Sequence, residues 1–532
     1  MTNKGDGYRM ILCDDGGTLL GPNVEAPMGA EGLARLAIEP LVGTMIDTLY
    51  WQLGTDLGES TPRNRYSDIY SHRTNVAPRW GVDGDTFESS GDWRIYENTR
   101  QLIEEGTDPP AVVIDHGHRA GLKVFLSMRV NDIHDGQLKD EPVVLSPTKR
   151  EHKEWLLGSA GNTGVPHLYR GLSRFAYNFA LSDVRAYKLA IAKEAIANYD
   201  LDGLDWDFCR FPRFFPEGEA EESAELMTEL LREIRAALDE KGRTVGRKLL
   251  FSVRVPPTFD LARSFGMDVR SWIDQGLIDI LIAGVVHRNM HRVPVEEYVA
   301  ATRDTDIRMI VQNLGLLWEG RPRSARVIYH EPEYFSTEMC RASAASYWRA
   351  GVDGLYLFNT QLIEFFRDSN YDRQPWREIG DPVSIAKRDK HYLVDNPYDW
   401  DVMTEELGAP SIPPGPLPIK LAKTGDSTEI RIDIADDVQV AASEGSLAEA
   451  SLRLMIVNLS ALDVVEFELN DSPLDNAAVR RRLLYNDCWL EFDVSGVLRQ
   501  GWNCIKVVVI ARNPHVAASL KIESVEAIVR YC

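Results

Sequence analysis

Two aspartates and an arginine end one apolar segment of the chain, and their spacing suits chemistry at the end of a β-strand. Asp205 and Asp207 are two residues apart within segment 202–212, so on an extended chain both side chains point to the same face. Neighbouring carboxylates are costly to bury unless they meet solvent, a cation or a substrate. Arg210 follows where the strand should pass into a loop. The pattern predicts either an active site at the carboxyl end of the strand or an internal ion pair that orders the loop.

Polar side chains also follow the other strand-like segments. They are Asp14 and Asp15 at the end of segment 8–15, Arg129, Asp132 and His134 at or after the end of 122–130, Arg254 at the end of 248–255, and His287, Arg288, Gln312, Asn313, Tyr356 and Asn359 at or after the ends of 278–286, 307–314 and 354–359. Parallel strands in a barrel bring their carboxyl ends to one face, so these side chains should lie close together, with Trp51 of segment 44–54 nearby. Many hydrogen-bonding groups beside an aromatic wall are typical of a sugar site.

Cleavage of a glycosidic bond needs one group that protonates the leaving oxygen and another that activates water or attacks. Asp14 or Asp15 could be the acid if its surroundings raise its pKa. His134 lies between Asp132 and Asp135, and a neighbouring carboxylate could hold its ring and raise its basicity. No zinc-protease, serine-hydrolase or nucleotide-binding motif stands where its mechanism would need it, so we expect no metal and no cofactor.

The strand-like segments alternate with helical patterns. The strand-like segments are 8–15, 44–54, 122–130, 203–211, 248–255, 278–286, 307–314 and 354–359, and the helices are predicted over 31–42, 183–199, 219–241, 294–303 and 338–350. This alternation predicts an α/β fold with parallel strands, a (β/α)8 TIM barrel over residues 1–385. Long loops over 52–93 and 135–182 should lie on its catalytic face, where they shape a substrate pocket or support oligomer contacts such as those of a homodimer.

The carboxyl-terminal part of the chain has a different pattern. Five prolines between residues 410 and 418 indicate a stiff linker, which we place within 386–418. Short alternating apolar segments separated by turn residues then predict a β-sandwich over 419–532. The sequence Gly501-Trp502-Asn503 resembles that of galactose-binding-like sandwiches attached to glycosidases. We expect structural support more than carbohydrate binding from this domain.

Composition excludes some classes of partner. The net charge of −22 argues against nucleic acid, because binding phosphates needs a basic surface. No apolar run has membrane-spanning length, and we expect no membrane partner. The first residues do not resemble a signal peptide, so the localisation stays open between a cytoplasmic protein and a secreted one whose leader is not included.

The segments Cys13-Asp14-Asp15-Gly16-Gly17 and Arg129-Val130-Asn131-Asp132-Ile133-His134-Asp135 resemble glycoside hydrolase family 156. The members of this family are inverting exo-sialidases with a (β/α)8 barrel and a C-terminal β-rich region, and the resemblance extends over the whole chain. It implies sialylated glycans as substrates and Asp14 and His134 as the acid–base pair. It leaves open which of the two is the acid.

The chemistry of a sialoside supports that pair. The substrate carries a carboxylate on its anomeric carbon, so a neutral histidine is a better base than a second carboxylate. Arginine can clamp the substrate carboxylate in a bidentate manner, and Arg129 is the first candidate, followed by Arg210 and Arg254. Asp132, Asp207, Asn313 and Trp51 complete the predicted substrate-binding residues. Two alternatives remain: a neutral-sugar glycosidase that uses Asp205 and Asp207, and a non-catalytic carbohydrate-binding barrel.

Overall fold

Eight parallel strands form a closed barrel in the computed structural model of the protein. The model describes residues 7–20, 28–53, 90–132, 147–158, 173–209, 212–284, 291–313, 336–362, 373–395, 417–477, 479–484 and 486–532. The barrel strands are β1 (Met10–Asp14), β2 (Thr48–Leu53), β3 (Lys123–Arg129), β4 (Gly203–Asp207), β5 (Leu250–Val255), β6 (Ile280–Ala283), β7 (Arg308–Gln312) and β8 (Gly354–Phe358). Each strand pairs with the next, and β8 closes on β1. The predicted TIM barrel is therefore confirmed.

Helices lie between the strands. In the described part of the chain they are α1 (Gly29–Ala37), α2 (Ser90–Glu104), α3 (Pro109–Arg119), α4 (Pro147–Glu151), α5 (Ser182–Asn198), α6 (Ala224–Val245), α7 (Phe259–Ser264), α8 (Val269–Asp274), α9 (Glu296–Thr302), α10 (Thr337–Ala350), α11 (Gln374–Glu378) and α12 (Pro382–Ile385). None of them is long and apolar enough to cross a membrane. The helix predicted over 294–303 begins at Glu296, so Pro294 lies before its N-cap residue Val295. Most residues of the two predicted long loops, 54–89, 133–146 and 159–172, lie outside the described residues.

Large side chains fill the lower part of the barrel interior. An inner cluster contains Ile11, Cys13, Tyr50, Phe125, Ile280, Ile282, Ile310 and Tyr356. Gly203 makes room for this packing, because a Cβ there would lie 2.2 Å from the ring of Phe125. Above the apolar layer the inward residues of β3, β4 and β5 become polar, beginning with Ser127, Asp205 and Ser252, toward the carboxyl-terminal end of the barrel.

Four aspartates repeat one contact at the opposite, amino-terminal face. Each precedes an even-numbered strand and accepts a hydrogen bond from a backbone N–H at the start of the preceding odd-numbered strand. The pairs are Arg9 N to Asp47 (2.8 Å), Val124 N to Asp202 (2.9 Å), Phe251 N to Asp279 (2.8 Å) and Met309 N to Asp353 (2.8 Å). The contact satisfies donors at the strand starts. Its place on the amino-terminal face indicates a role in stability rather than in catalysis.

Residues 419–532 form two antiparallel sheets, as the sandwich pattern predicts. The strands are β10 (Ile419–Leu421), β11 (Ser427–Ile434), β12 (Leu447–Val457), β13 (Val464–Leu469), β14 (Ser472–Pro473), β15 (Arg480–Leu484), β16 (Asp487–Asp493), β17 (Gly501–Ala511) and β18 (Leu520–Tyr531), with a short helix α13 (Val438–Ser443). One sheet has the order β10-β18-β12-β16-β15 and the other β11-β17-β13-β14. Their facing apolar residues form a second core cluster.

The predicted linker 386–418 contains a strand. β9 (Lys390–Leu393) pairs antiparallel with β18 at the carboxyl terminus, so it belongs to the sandwich. Buried polar contacts fix it there: Lys390 Nζ lies 2.8 Å from one oxygen of Asp436, and the hydroxyl of Tyr392 donates to the other at 2.6 Å. The five prolines that suggested a linker lie later, and only Pro418 among them is a described residue.

Candidate active site

Two matched layers of polar residues cross strands β3, β4 and β5 at the carboxyl end of the barrel. Parallel register places Ser127, Asp205 and Ser252 side by side in the lower layer. The upper layer, two residues further along each strand, consists of Arg129, Asp207 and Arg254. The sequence carries this arrangement as Ser-x-Arg, Asp-x-Asp and Ser-x-Arg on three consecutive strands. The sequence prediction found the carboxylates and both arginines but missed the serines.

The lower layer surrounds a fully buried carboxyl group. Ser127 Oγ donates to Asp205 at 2.6 Å, and Ser252 Oγ donates to its other oxygen at 2.8 Å. Burial, followed by the nearby charge of Asp207, raises the pKa of Asp205 to about 7. Both oxygens are thus occupied by hydroxyl groups below the upper layer.

The upper layer contains a fully buried, bidentate ion pair. Arg254 donates to Asp207 from Nε at 2.8 Å and from Nη2 at 2.6 Å. Its Nη1 donates to Gln312 at 2.8 Å. Gly284 leaves space for this contact, because a Cβ there would lie 2.8 Å from the amide oxygen of Gln312. The pair predicted to bind substrate therefore consists of two residues that bind each other.

Asp14 lies at the carboxyl end of β1 beside Trp51, and its side chain is buried. Because Cys13 belongs to the inner cluster, strand alternation directs Asp14 outward, as it does Trp51. Its carboxyl group accepts hydrogen bonds from the backbone N–H of Gly16, at 2.9 Å, and from the hydroxyl of Thr18. Burial raises the pKa of Asp14 to about 7, against the opposing effect of the Thr18 hydrogen bond. A carboxyl group with this pKa still holds a proton in much of the population near neutral pH, as a general acid requires.

Asp15, the next residue, has different surroundings. Arg129 Nη2 donates to its carboxylate at 2.7 Å, and Arg129 Nη1 donates to Asp132 at 3.1 Å. The backbone N–H of Asp15 donates to the side chain of Asn359 at 3.1 Å. Asn359 has a φ of 54°, in the left-handed region that asparagine tolerates better than most residues. The ends of β1, β3 and β8 therefore meet in one charged cluster.

The segment after β3 is anchored from behind. The buried side chain of Asn131 donates to the carbonyls of Tyr177 (3.0 Å) and Arg213 (2.6 Å), and accepts from the N–H of Tyr177 (2.8 Å). Lys149, also buried, donates to the carbonyl of Asp132 at 2.8 Å. These contacts fix the last described residues before His134, which itself lies outside the described residues, as does Arg210.

Two other predicted residues lie near the strand ends. Asn313 is buried after β7, and its backbone N–H donates to the carbonyl of Tyr356 at 2.9 Å. Trp51 is fully buried in the core cluster between the barrel and the helices. This differs from the expected aromatic wall, because Tyr50 points inward and strand alternation directs Trp51 outward. Among the described residues, no group of three or more His, Cys, Asp or Glu side chains could hold a metal ion.

Comparison with solved structures finds carbohydrate-active enzymes at low similarity. They include a Paenibacillus cycloisomaltooligosaccharide glucanotransferase (TM-score 0.36, 10% identity, 97% of this chain and 57% of that chain). An α-amylase from Geobacillus thermoleovorans has a TM-score of 0.38 at 12% identity, covering 95% of this chain and 98% of that one. A Geobacillus stearothermophilus α-galactosidase has a TM-score of 0.36 at 10% identity, and the match covers 99% of this chain and 56% of that chain.

The chain thus spans little more than half the length of the glucanotransferase and of the α-galactosidase. At these scores the similarities do not identify a function for this chain. No protein-family model and no curated protein matches it.

Proposed function

We propose that the protein is a glycoside hydrolase, and within that class an inverting exo-sialidase that releases terminal sialic acid from glycoconjugates. The observation that carries the proposal is the pair of adjacent aspartates at the end of β1. Burial raises the pKa of Asp14 to about 7, whereas Asp15 forms an ion pair with Arg129. Neighbouring carboxyl groups in contrasting surroundings are a recurrent sign of acid–base assignment in hydrolases.

Asp14 is the proposed general acid, which protonates the glycosidic oxygen as the bond to the anomeric carbon breaks. To reach that oxygen, its side chain must leave Gly16 and Thr18 and turn toward the mouth of the barrel. His134 is the proposed base, which takes a proton from the attacking water. It follows Asp132 by two residues, and both Arg129 and Lys149 hold Asp132 in place. A neutral imidazole would approach the sialate without adding negative charge beside the substrate carboxylate.

Arg129 is the proposed partner of the substrate carboxylate. Its Nη atoms contact Asp15 and Asp132, whereas its buried Nε–H has no acceptor among the described residues. A guanidinium can present Nε and one Nη together to a carboxylate. Arg254 is less suitable, because Asp207 and Gln312 occupy its Nε and both Nη atoms.

A retaining mechanism through Tyr356 is disfavoured by its surroundings. The phenol belongs to the inner apolar cluster and is fully buried. Burial raises the pKa of Tyr356 well above its ordinary value, which opposes formation of the nucleophilic phenolate. The neutral-sugar alternative would require Asp205 and Asp207 to leave their serine and arginine partners in order to act on a substrate.

A panel of aryl glycosides tests the proposal. The protein should release the chromophore from an aryl α-sialoside and leave aryl galactosides, glucosides and N-acetylglucosaminides intact. Turnover of a neutral glycoside alone would favour the alternative that uses Asp205 and Asp207. Binding of sialic acid without turnover of any sialoside would favour a non-catalytic carbohydrate-binding barrel.

A further inference from the structure

Arg129 is shared by two carboxylates that differ in exposure. Its Nη2 lies 2.7 Å from Asp15 and its Nη1 lies 3.1 Å from Asp132. The Asp15 side chain is 20% exposed, whereas Asp132 is 3% and Arg129 8% exposed. Asp15 is therefore the outer partner of the guanidinium and Asp132 the inner one.

Asp15 would keep other contacts if it released Arg129. Its second carboxylate oxygen accepts a hydrogen bond from the backbone N–H of Gly17 at 3.2 Å. Its own backbone N–H is held by Asn359. Asp132 has less freedom, since its carbonyl is held by the buried Lys149 and its side chain is almost completely enclosed.

We propose that Asp15 is an internal competitor for Arg129, which a negatively charged sugar must displace in order to bind. This inference rests on the proposed function, because it takes a sialate carboxylate as the incoming ligand. The carboxylate of Asp15 holds the Nη2 donor that, together with Nε, would form a bidentate contact with the ligand. Asp15 would thereby set affinity for anionic sugars without touching the bond that is cleaved.

Substitution of Asp15 by an uncharged residue should increase the affinity of the protein for an anionic sugar. Asp15→Asn keeps the side-chain size and an oxygen for the Gly17 N–H but removes the charge that holds Arg129. Free N-acetylneuraminic acid should bind this variant about tenfold more tightly, since one charge-assisted contact no longer has to be broken. Asp132→Asn is the matched control, because it removes the same charge from the inner side of the same guanidinium.

Isothermal titration calorimetry measures the effect, with free N-acetylneuraminic acid as the ligand and its methyl ester as the uncharged comparison. Asp15→Asn should tighten binding of the acid and leave binding of the ester unchanged, and Asp132→Asn should give a smaller gain or a loss. Equal gains in both variants would indicate a general charge effect and overturn the inference, as would unchanged or weaker binding by Asp15→Asn.

A second variant, Asp15→Ser, serves if Asp15→Asn does not fold, with the same expected gain. The two hypotheses fail in different ways. If the wild-type protein neither binds nor hydrolyses a sialoside, the proposed function fails and this inference fails with it. If the wild-type protein does so and neither Asp15 variant binds the acid more tightly, only the inference fails.

Discussion

Asp14 and Asp15 are adjacent in sequence, yet their carboxyl groups have contrasting surroundings. Asp14 is buried against Gly16 and Thr18, and its pKa rises to about 7, whereas Asp15 forms an ion pair with Arg129. Two adjacent residues thus carry a carboxyl group that can hold a proton near neutral pH and a carboxylate that is held in an ion pair. The proposed general acid catalysis by Asp14 depends on that difference.

Asp14→Asn should lower kcat at least a hundredfold on an unactivated sialoside, in line with the usual contribution of general acids. The decrease in kcat should be much smaller on a nitrophenyl sialoside, because a good leaving group needs little protonation. Comparing the two substrates separates loss of an acid from a general disturbance of the site, which would affect both equally. Asp15→Asn is the paired control: if it, and not Asp14→Asn, shows the leaving-group dependence, Asp15 is the acid.

The pH profile provides an independent check on Asp14. A general acid must be protonated, so kcat/KM should fall as pH rises through about 7, the pKa to which burial raises Asp14. This limb should disappear in Asp14→Asn. Activity that stays level or rises from pH 7 to 9 in the wild type would argue against Asp14 as the proton donor.

His134→Ala should also lower kcat by about a hundredfold or more, because water would lose its proton acceptor. Azide is a small anion that can replace the activated water at the anomeric carbon, and it should restore part of the rate. Circular dichroism would verify that the variant folds. A folded variant with near-normal turnover would remove His134 from the mechanism.

Arg129→Lys should weaken binding of a sialoside, because lysine keeps the charge but loses the planar fork. We expect an increase in KM equivalent to about 1.5–3 kcal/mol, the usual value of a hydrogen bond to a charged group. The matched control is Arg254→Lys, which should mainly reduce stability, since Arg254 forms a buried ion pair with Asp207. A complex in which other residues alone contact the sialate carboxylate would refute the role of Arg129.

Asp205→Asn should change how stability depends on pH. The pKa of Asp205 is about 7 in the folded protein and its ordinary value is 3.8, so between these values the folded state binds more protons than the unfolded state. Its contribution to stability therefore falls as pH rises through this window, by up to about 1.4 kcal/mol per pH unit. The Asp205→Asn variant lacks that loss, so its free energy of unfolding should rise relative to that of the wild type between pH 5 and pH 7.

Urea denaturation at the two pH values gives the difference in unfolding free energy. Ser127→Ala is a useful companion, because it removes one donor to Asp205 while leaving the carboxyl group to titrate. A wild-type-to-Asp205→Asn difference that is the same at both pH values would mean that Asp205 keeps an ordinary pKa in the folded state.

The barrel was predictable because its strands have a simple local signature. Each of the eight barrel strands lies within a segment that apolar runs and alternating helices indicated, since buried parallel strands need apolar residues on both faces. β9 has no such signature: it is short, and its pairing partner β18 lies about 135 residues further along the chain. Its role depends on a contact that local pattern does not encode.

Prediction of the site from the sequence was also limited by contacts between residues that lie far apart in the chain. Polar residues at strand ends were identifiable because the fold places all such ends on one face. The contact between Asp15 and Arg129 could not be identified, because the two residues are 114 positions apart and several arginines were equally plausible partners. Ser127 and Ser252 carried a usable signal, since aligning the ends of β3, β4 and β5 places a serine on each side of Asp205.

The stereochemistry of hydrolysis tests the central claim most directly. Proton NMR in D₂O should follow an aryl α-sialoside from the first minutes after the protein is added, before the anomers of free sialic acid interconvert. An inverting mechanism with water activated opposite Asp14 predicts that the β anomer appears first. Appearance of the α anomer first, or the absence of any free sialic acid from a folded protein, would contradict the proposal.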